Sequence, residues 1–232
     1  MLSILMKRRA QAGVTQPAIA QASPAAQDTV RRGMADKPWE DVQATLKQDL
    51  AYLRTLAGSK EKDPFKATLI DKYRPLALRL LNTHQGEYGN LDVLWWYFIW
   101  HVDLGQFEAI HDAFRAAIDG GLESPTHWKM NGQTAFCGYV FKYAHDAHTQ
   151  KQPFQRGYLL NAVNDLLSGA LATNAPLKVK MFRLVGDWYY DDGEPEKAHR
   201  LFEQVMTLDP DKGGRKNKLK ELKETLGYDL SH

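Results

Sequence analysis

The sequence predicts an all-α protein whose helices fold back on one another as antiparallel hairpins stacked in series, behind a flexible N-terminal arm. Three observations carry this reading. From Pro38 onward, apolar residues recur at three- and four-residue spacing. Gly, Pro or Asn stands at almost every join between such segments. The alternation expected of strands is scarce, and short joins between successive helices imply antiparallel neighbours.

Each element follows from the local pattern. Residues 1–36 are rich in Ala, Gln, Ser and Pro and carry Lys7, Arg8, Arg9, Arg31 and Arg32 against Asp28 and Asp36. Such a segment buries too little apolar surface to offset its ordering entropy, so it reads as a flexible basic arm. The first helix, 38–57, sets Val42, Leu46, Leu50, Leu53 and Ala57 on one stripe, with Lys47, Gln48 and Arg54 off it. The charged stretch GSKEKDP (58–64) reads as a linker to a second helix over 65–82, which Pro75 should kink or interrupt.

In NLDVLWWYFIWHVDLG (90–105), Trp95, Trp96, Tyr97, Phe98, Ile99 and Trp100 run consecutively. A helix that is apolar all round must be covered on several sides, by its neighbours or by another subunit. Further helices are expected over 106–119, 131–150, 156–173, 176–191, 195–208 and 212–226. Phe136, Val140, Tyr143 and Ala147 form the stripe of one, and Leu159, Val163, Leu166 and Ala170 that of another. The chain divides into an arm (1–36), an N-terminal helical region suited to oligomerisation or DNA binding (37–88), a helix-hairpin domain (89–211) and a basic C-terminal helix (212–232).

Composition narrows the functional classes. The chain has 232 residues, 44% of them hydrophobic, which suffices for a buried core. Lys and Arg number 30 against 28 Asp and Glu, a net charge of +2, so any affinity for nucleic acid must come from clustering. Cys137 stands alone, which excludes an intramolecular disulfide and favours a reducing compartment. No apolar run reaches the roughly 18 residues that a membrane span needs. MLSILMKRR places a short apolar patch before its charges, the reverse of a secretory signal, and the chain reads as cytosolic.

The stretch GDWYYDDGEPEKA (186–198) crowds Asp187, Asp191, Asp192 and Glu194 around Trp188, Tyr189 and Tyr190, as a metal or acid/base site would. Its spacing points elsewhere. Phe182, Val185, Gly186 and Tyr189, then Ala198 and Phe202, then Pro210 follow the helix-turn-helix pattern of a tetratricopeptide repeat in spacing, more loosely in identity. Gly186 and Ala198 are small where two helices would cross closely, and Phe182, Tyr189 and Phe202 would fill the space around the crossing. Gly193 supplies a left-handed turn, Pro195 suits the opening turn of the next helix, and the acids lie near a helix N-terminus, where negative charge is favoured. A shift of 88 residues aligns Asp191 with Asp103, Gly193 with Gly105, Phe202 with Phe114 and Met206 with Ile118, which suggests a second hairpin of the same kind.

LWWYFIWHVDLGQFEAIHDAFRAAIDGGLESP (94–125), with Trp100, Asp103, Gly105, Ala113, Ala117, Gly121, Leu122 and Pro125, resembles the terminase small subunit of P2-like tailed bacteriophages, the GpM family. Residues 181–226 continue the resemblance, which covers most of the chain from about residue 40. It rests on packing motifs in a specific order. It implies a DNA-packaging protein of the bacterial host cytoplasm that recognises the packaging site on viral double-stranded DNA and delivers it to the large, ATP-hydrolysing and DNA-cutting subunit. It also implies a homo-oligomeric ring. Family members end in Lys/Arg/Pro-rich tails, where this sequence has Asp229, Leu230, Ser231 and His232.

DNA is engaged first through its phosphates, so clustered cations are the candidates. One cluster is the arm, with Lys7, Arg8, Arg9, Arg31 and Arg32. The other is KGGRKNKLKELK, with Lys212, Arg215, Lys216, Lys218, Lys220 and Lys223. In the last helix Leu219, Leu222 and Leu226 would face the core and leave Lys216, Lys218, Lys220 and Lys223 largely on the other sides. Its bland reading is a solvated capping face of a helical array, and the arm's is a tail with incidental charge. A third patch, Lys60, Lys62, Lys66, Lys72 and Arg74, would suit a helix-turn-helix reader, although the connection between its helices reads as too long and charged.

Catalysis has weaker support. His145 and His148 could share one helix face beside Asp146, but two ligands with no HExxH and no matching carboxylate pair point to an exposed structural pair rather than a metal site. Cys137, among Phe136, Val140 and Phe141, suits a buried, inert thiol. No GxxxxGK[ST] loop occurs, so ATP hydrolysis is not expected of this chain, nor is a cofactor. The family's endonuclease label is taken as a property of the assembled enzyme. The competing class is a tetratricopeptide-like adaptor that binds a protein in a concave groove without DNA.

Overall fold

Nine α-helices follow one another among the described residues, 33–228 of a computed structural model, and no strand lies among them. They are α1 (Trp39–Thr55), α2 (Gly58–Thr83), α3 (Asp92–Asp103), α4 (Phe107–Asp119), α5 (Gly132–Thr149), α6 (Arg156–Ser168), α7 (Ala175–Asp191), α8 (Pro195–Leu208) and α9 (Lys216–Thr225). A short 3₁₀ turn, Met34–Asp36, precedes them, and Met34, in the stretch read as arm, is buried. One hydrophobic core runs from Met34 through α1–α8 to Val205. A second, smaller cluster joins Ala198 and Phe202 to Leu222 of α9.

Two expectations fail in α2. GSKEKDP is not a linker but the opening turns of α2, and only Leu56 and Ala57 separate the first two helices. Glu61 secures this early start, because its Oε2 accepts the Ala57 N–H at 2.7 Å and satisfies one of the donors a helix start leaves open. Nor does Pro75 interrupt α2. Pro75 and Asp71, whose carbonyl the proline leaves unpaired, are both exposed, so water can replace the lost bond. Tyr73, Leu76, Ala77 and Leu80 meanwhile hold the other face in the core.

Helix α3 is covered as its composition requires. Val93, Leu94, Trp95, Tyr97, Phe98, Ile99, Trp100 and His101 are all buried. Neighbours within the chain do the covering: Phe98 stacks on Phe114 of α4 at 4.6 Å between centroids, Trp95 meets Phe114 and Trp128 edge-on, and Tyr73 of α2 lies 5.5 Å from Trp100. At about 150–250 Å² per aromatic side chain and ~25 cal/mol per Å², each ring contributes on the order of 4–6 kcal/mol of gross burial.

The corners explain the short connections. At the α3–α4 corner, Leu104 N–H bonds to Trp100 O, Gly105 N–H to Val102 O and Gln106 N–H to His101 O. The α7–α8 corner repeats this set 88 residues later: Asp192 to Trp188, Gly193 to Tyr190, Glu194 to Tyr189. Gly105 and Gly193 sit at φ 71° and 75°, the left-handed conformation that ends a helix most cheaply in glycine. Helix α6 stops at Ser168 rather than 173, because Gly169 turns left-handed at φ 84° and leaves Ala170 exposed.

Candidate nucleic-acid interface

Three of the four acids of 187–194 are engaged by separate cations, and Asp191 is exposed with no ion pair to a described residue. Asp187 receives Arg215 through both carboxylate oxygens, Nε to Oδ1 at 2.9 Å and Nη2 to Oδ2, and also Lys218 Nζ at 3.0 Å. Asp192 binds Arg156 from α6, with Nη2 at 2.6 Å, and Glu194 pairs with Lys197. Gly186 lies where expected, since a Cβ there would stand 2.6 Å from Phe202 Cε1, and Ala198 is fully buried beside it. Among the described residues no group of three or more His, Cys, Asp and Glu side chains could hold a metal ion. His148 Nδ1 accepts the Trp188 indole N–H at 3.3 Å, and His145 lies 3.5 Å from Asp146. Burial pushes the Cys137 thiol up to about 12, against the smaller opposing pull of Arg115, so it is a poor nucleophile.

The candidate basic residues are placed unevenly. Lys7, Arg8, Arg9, Arg31 and Arg32 lie outside the described residues. Helix α9 begins at Lys216 rather than 212, so Lys212 and Arg215 belong to the turn before it. In that turn Gly214 has φ 71°, and a Cβ on Gly213 would meet Asp209 O at 2.6 Å and Val205 Cγ1 at 2.9 Å. Two glycines are therefore needed for the chain to double back here.

Lys218 and Lys223 lie off the Leu222 face as α9's pattern suggested, but each is paired with a carboxylate of a neighbouring helix. Lys218 reaches back to Asp187 and lies 4.4 Å from the centre of the Tyr190 ring, and Lys223 sits 3.8 Å from Glu203 of α8. Lys220 faces Glu224 at 3.9 Å. Lys212 and Lys216 are exposed and form no ion pair with a described residue. The third patch lies on α2: Lys66 pairs with Asp63 and Asp103, Lys72 with Asp49 and Arg74 with Asp71, while Lys60 and Lys62 form no ion pair with a described residue.

Two adjoining concavities line the outer face of α7. One, about 430 Å³, is walled by Phe141, His145, Lys180, Arg183, Leu184, Asp187 and Arg215. The other, about 250 Å³, shares Lys180 and Arg183 and extends along Val179, Leu208, Asp209 and Lys212. Lys180 is exposed, Arg183 is half-buried, and neither pairs with a described carboxylate. Sequence reasoning missed both because they are scattered through the apolar pattern of α7. The available signal was their i, i+3 spacing, off the stripe of the buried Phe182 and Val185.

The family model for the phage small terminase subunit matches residues 43–174, from within α1 to the residue that caps α7. No curated protein and no solved structure matches the chain.

Proposed function

Because the chain belongs to the phage small terminase subunit family, more than half of it matching that family's model, we propose that it engages viral double-stranded DNA at the packaging site and hands it to the large ATPase and nuclease subunit. The observation that carries this reading is the family match over 43–174, followed in the chain by a C-terminal surface where Lys180, Arg183, Lys212 and Lys216 carry no acidic partner among the described residues. The arm residues Lys7, Arg8, Arg9, Arg31 and Arg32 supply further phosphate contacts, as do those C-terminal cations that leave their carboxylates. Binding is electrostatic in its first step and is reinforced by several copies in a homo-oligomeric ring.

The order of packing motifs supports placement among the P2-like members, and the matched glycine corners at Gly105 and Gly193 support a tetratricopeptide-like stacking of hairpins. The chain itself supplies recognition and assembly, in the cytoplasm of the infected bacterium, while nuclease chemistry belongs to the terminase complex.

The test is a mobility-shift titration of full-length protein and of protein lacking residues 1–32, on packaging-site and unrelated DNA, at several salt concentrations, alongside mass in solution. The shorter cut spares the buried Met34. Specific binding that falls steeply with salt, by a protein of oligomeric mass, is expected. An affinity unchanged between low and moderate salt overturns the electrostatic mechanism. No shift of any DNA, together with capture of a protein partner, favours the adaptor reading.

A further inference from the structure

We propose that the paired concavities along α7 form a phosphodiester-binding groove, in which Lys180, Arg183 and Lys212 contact successive phosphates of one DNA strand. The proposal rests on the DNA-binding reading above and assigns it a place that the family match does not reach, since all three residues lie beyond residue 174.

The charge balance of the groove selects an anion. Lys180, Arg183, Lys212 and Arg215 line it, with Lys218 one bond behind, against only Asp187 and Asp209. Asp187 is already neutralised by Arg215 and Lys218. The Asp209 carboxylate accepts the backbone N–H of Lys212 at 2.9 Å and helps hold the turn. Lys180, Arg183 and Lys212 therefore keep their charge for a ligand.

The geometry selects a chain of phosphates over a single one. The two concavities meet at Lys180 and Arg183, so cations are strung along the face of α7 rather than gathered around one point. The lining offers no Asn or Gln for a paired contact to adenine, and we assign its lysines and arginines to phosphates rather than to guanine edges. Contacts of this kind position a duplex and carry affinity without sequence preference.

The walls are preorganised. Arg215 is held by two bonds to Asp187, which tie the Lys212–Arg215 turn to α7, and gives a third within the turn, Nη1 to Gly214 O at 2.8 Å. The Arg183 guanidinium borders the same turn, its Nη1 3.9 Å from where a Cβ on Gly214 would stand, an ordinary contact distance. The cost of ordering the site is met on folding rather than on binding.

The experiment compares full-length wild-type protein, Lys180→Gln/Lys212→Gln, Arg183→Gln, and the control Lys47→Gln/Lys129→Gln, which removes the same charge from exposed lysines elsewhere. Affinity for a packaging-site duplex and for an unrelated duplex is measured against salt. The groove predicts that the Lys180/Lys212 variant weakens both duplexes by the same factor and flattens the log–log salt slope by about 2, while the control keeps the wild-type slope. In wild-type protein, DNA should protect Lys180 and Lys212 from amine acetylation and leave Lys47 and Lys129 reactive, a readout independent of any variant's folding.

Wild-type protein that binds DNA, with a Lys180/Lys212 variant matching wild type or the control, overturns the groove and leaves the terminase reading standing. Wild-type protein that binds no DNA at low salt overturns both. A variant that loses affinity for inorganic triphosphate while keeping its DNA affinity overturns the assignment to a strand backbone.

Discussion

Gly186→Ala should destabilise the protein even though alanine is the better helix former. A Cβ at 186 would stand 2.6 Å from Cε1 and 2.9 Å from Cδ1 of Phe202, and 3.4 Å from Cβ of Leu201. Ordinary carbon contacts lie at about 3.5–4.0 Å, so ring or helix must move by close to 1 Å. The ring has nowhere to go: Phe202 is fully buried and clustered with Ala198 and Leu222. Overpacking of this kind costs about 1–3 kcal/mol, and exchanging a mid-helix glycine for alanine returns up to about 1 kcal/mol. The central expectation is a net loss of about 1 kcal/mol, a fall of roughly 2–4 °C in Tm for a chain of this size. Thermal unfolding followed by circular dichroism measures it, with Phe202→Leu completing a double-mutant cycle. On that background Gly186→Ala should cost less, because the opposing ring is gone. A Gly186→Ala protein as stable as wild type, or more so, would refute the close crossing.

Three further outcomes are expected. Asp187→Asn removes the charge that Arg215 and Lys218 share; with Arg215 and Asp187 side chains 21% and 22% exposed, the loss falls between the surface and buried regimes, about 1–3 kcal/mol by urea unfolding. Burial holds the His101 imidazole below its ordinary 6.5, so the unfolded chain takes up that proton first. Its share of stability is complete above 6.5 and is lost as pH falls from there toward the folded value; His101→Gln should flatten this step in urea midpoints taken from pH 7.5 to 5.5. Cys137, with its thiol near 12, should stay unreactive toward Ellman's reagent at pH 8 in the native protein and react once unfolded, and rapid native labelling would contradict its burial.

The helices were legible because their signals are local. Periodic apolar residues, Gly193 and Gly105 at the corners, and Pro195 at a first turn each act within one or two turns of chain, and α8 falls at 195–208 as read. GSKEKDP misled because its charges imitate a linker, while the bond that makes it helical, Glu61 to the Ala57 N–H, depends on one rotamer. The α6 end was overrun because Ala170 and Leu171 continue the apolar pattern past Gly169, and only the left-handed φ at that glycine decides the stop. The candidate site was harder still. Which lysine is paired depends on the approach of α9 to α7, across 31 residues for Lys218 and Asp187, and spacing within one helix does not contain that.

A run of six cations in twelve residues suggests a single binding surface, but the fold divides it into two jobs. Arg215 and Lys218 hold α9 and its turn against α7, and Lys223 ties the same helix to α8. A cation already neutralised by a carboxylate must leave it before it can displace a counterion from DNA, so these three, and Lys220 beside Glu224, add little to the salt dependence. Lys212 and Lys216 keep their charge and are joined by Lys180 and Arg183, which sequence order places some thirty residues earlier. At about 0.9 per neutralised phosphate, six equivalent C-terminal cations would give a log–log slope near 5 per protomer in protein lacking residues 1–32, whereas these four give about 3.6. The slope therefore distinguishes the charge written in the sequence from the charge that the fold leaves available.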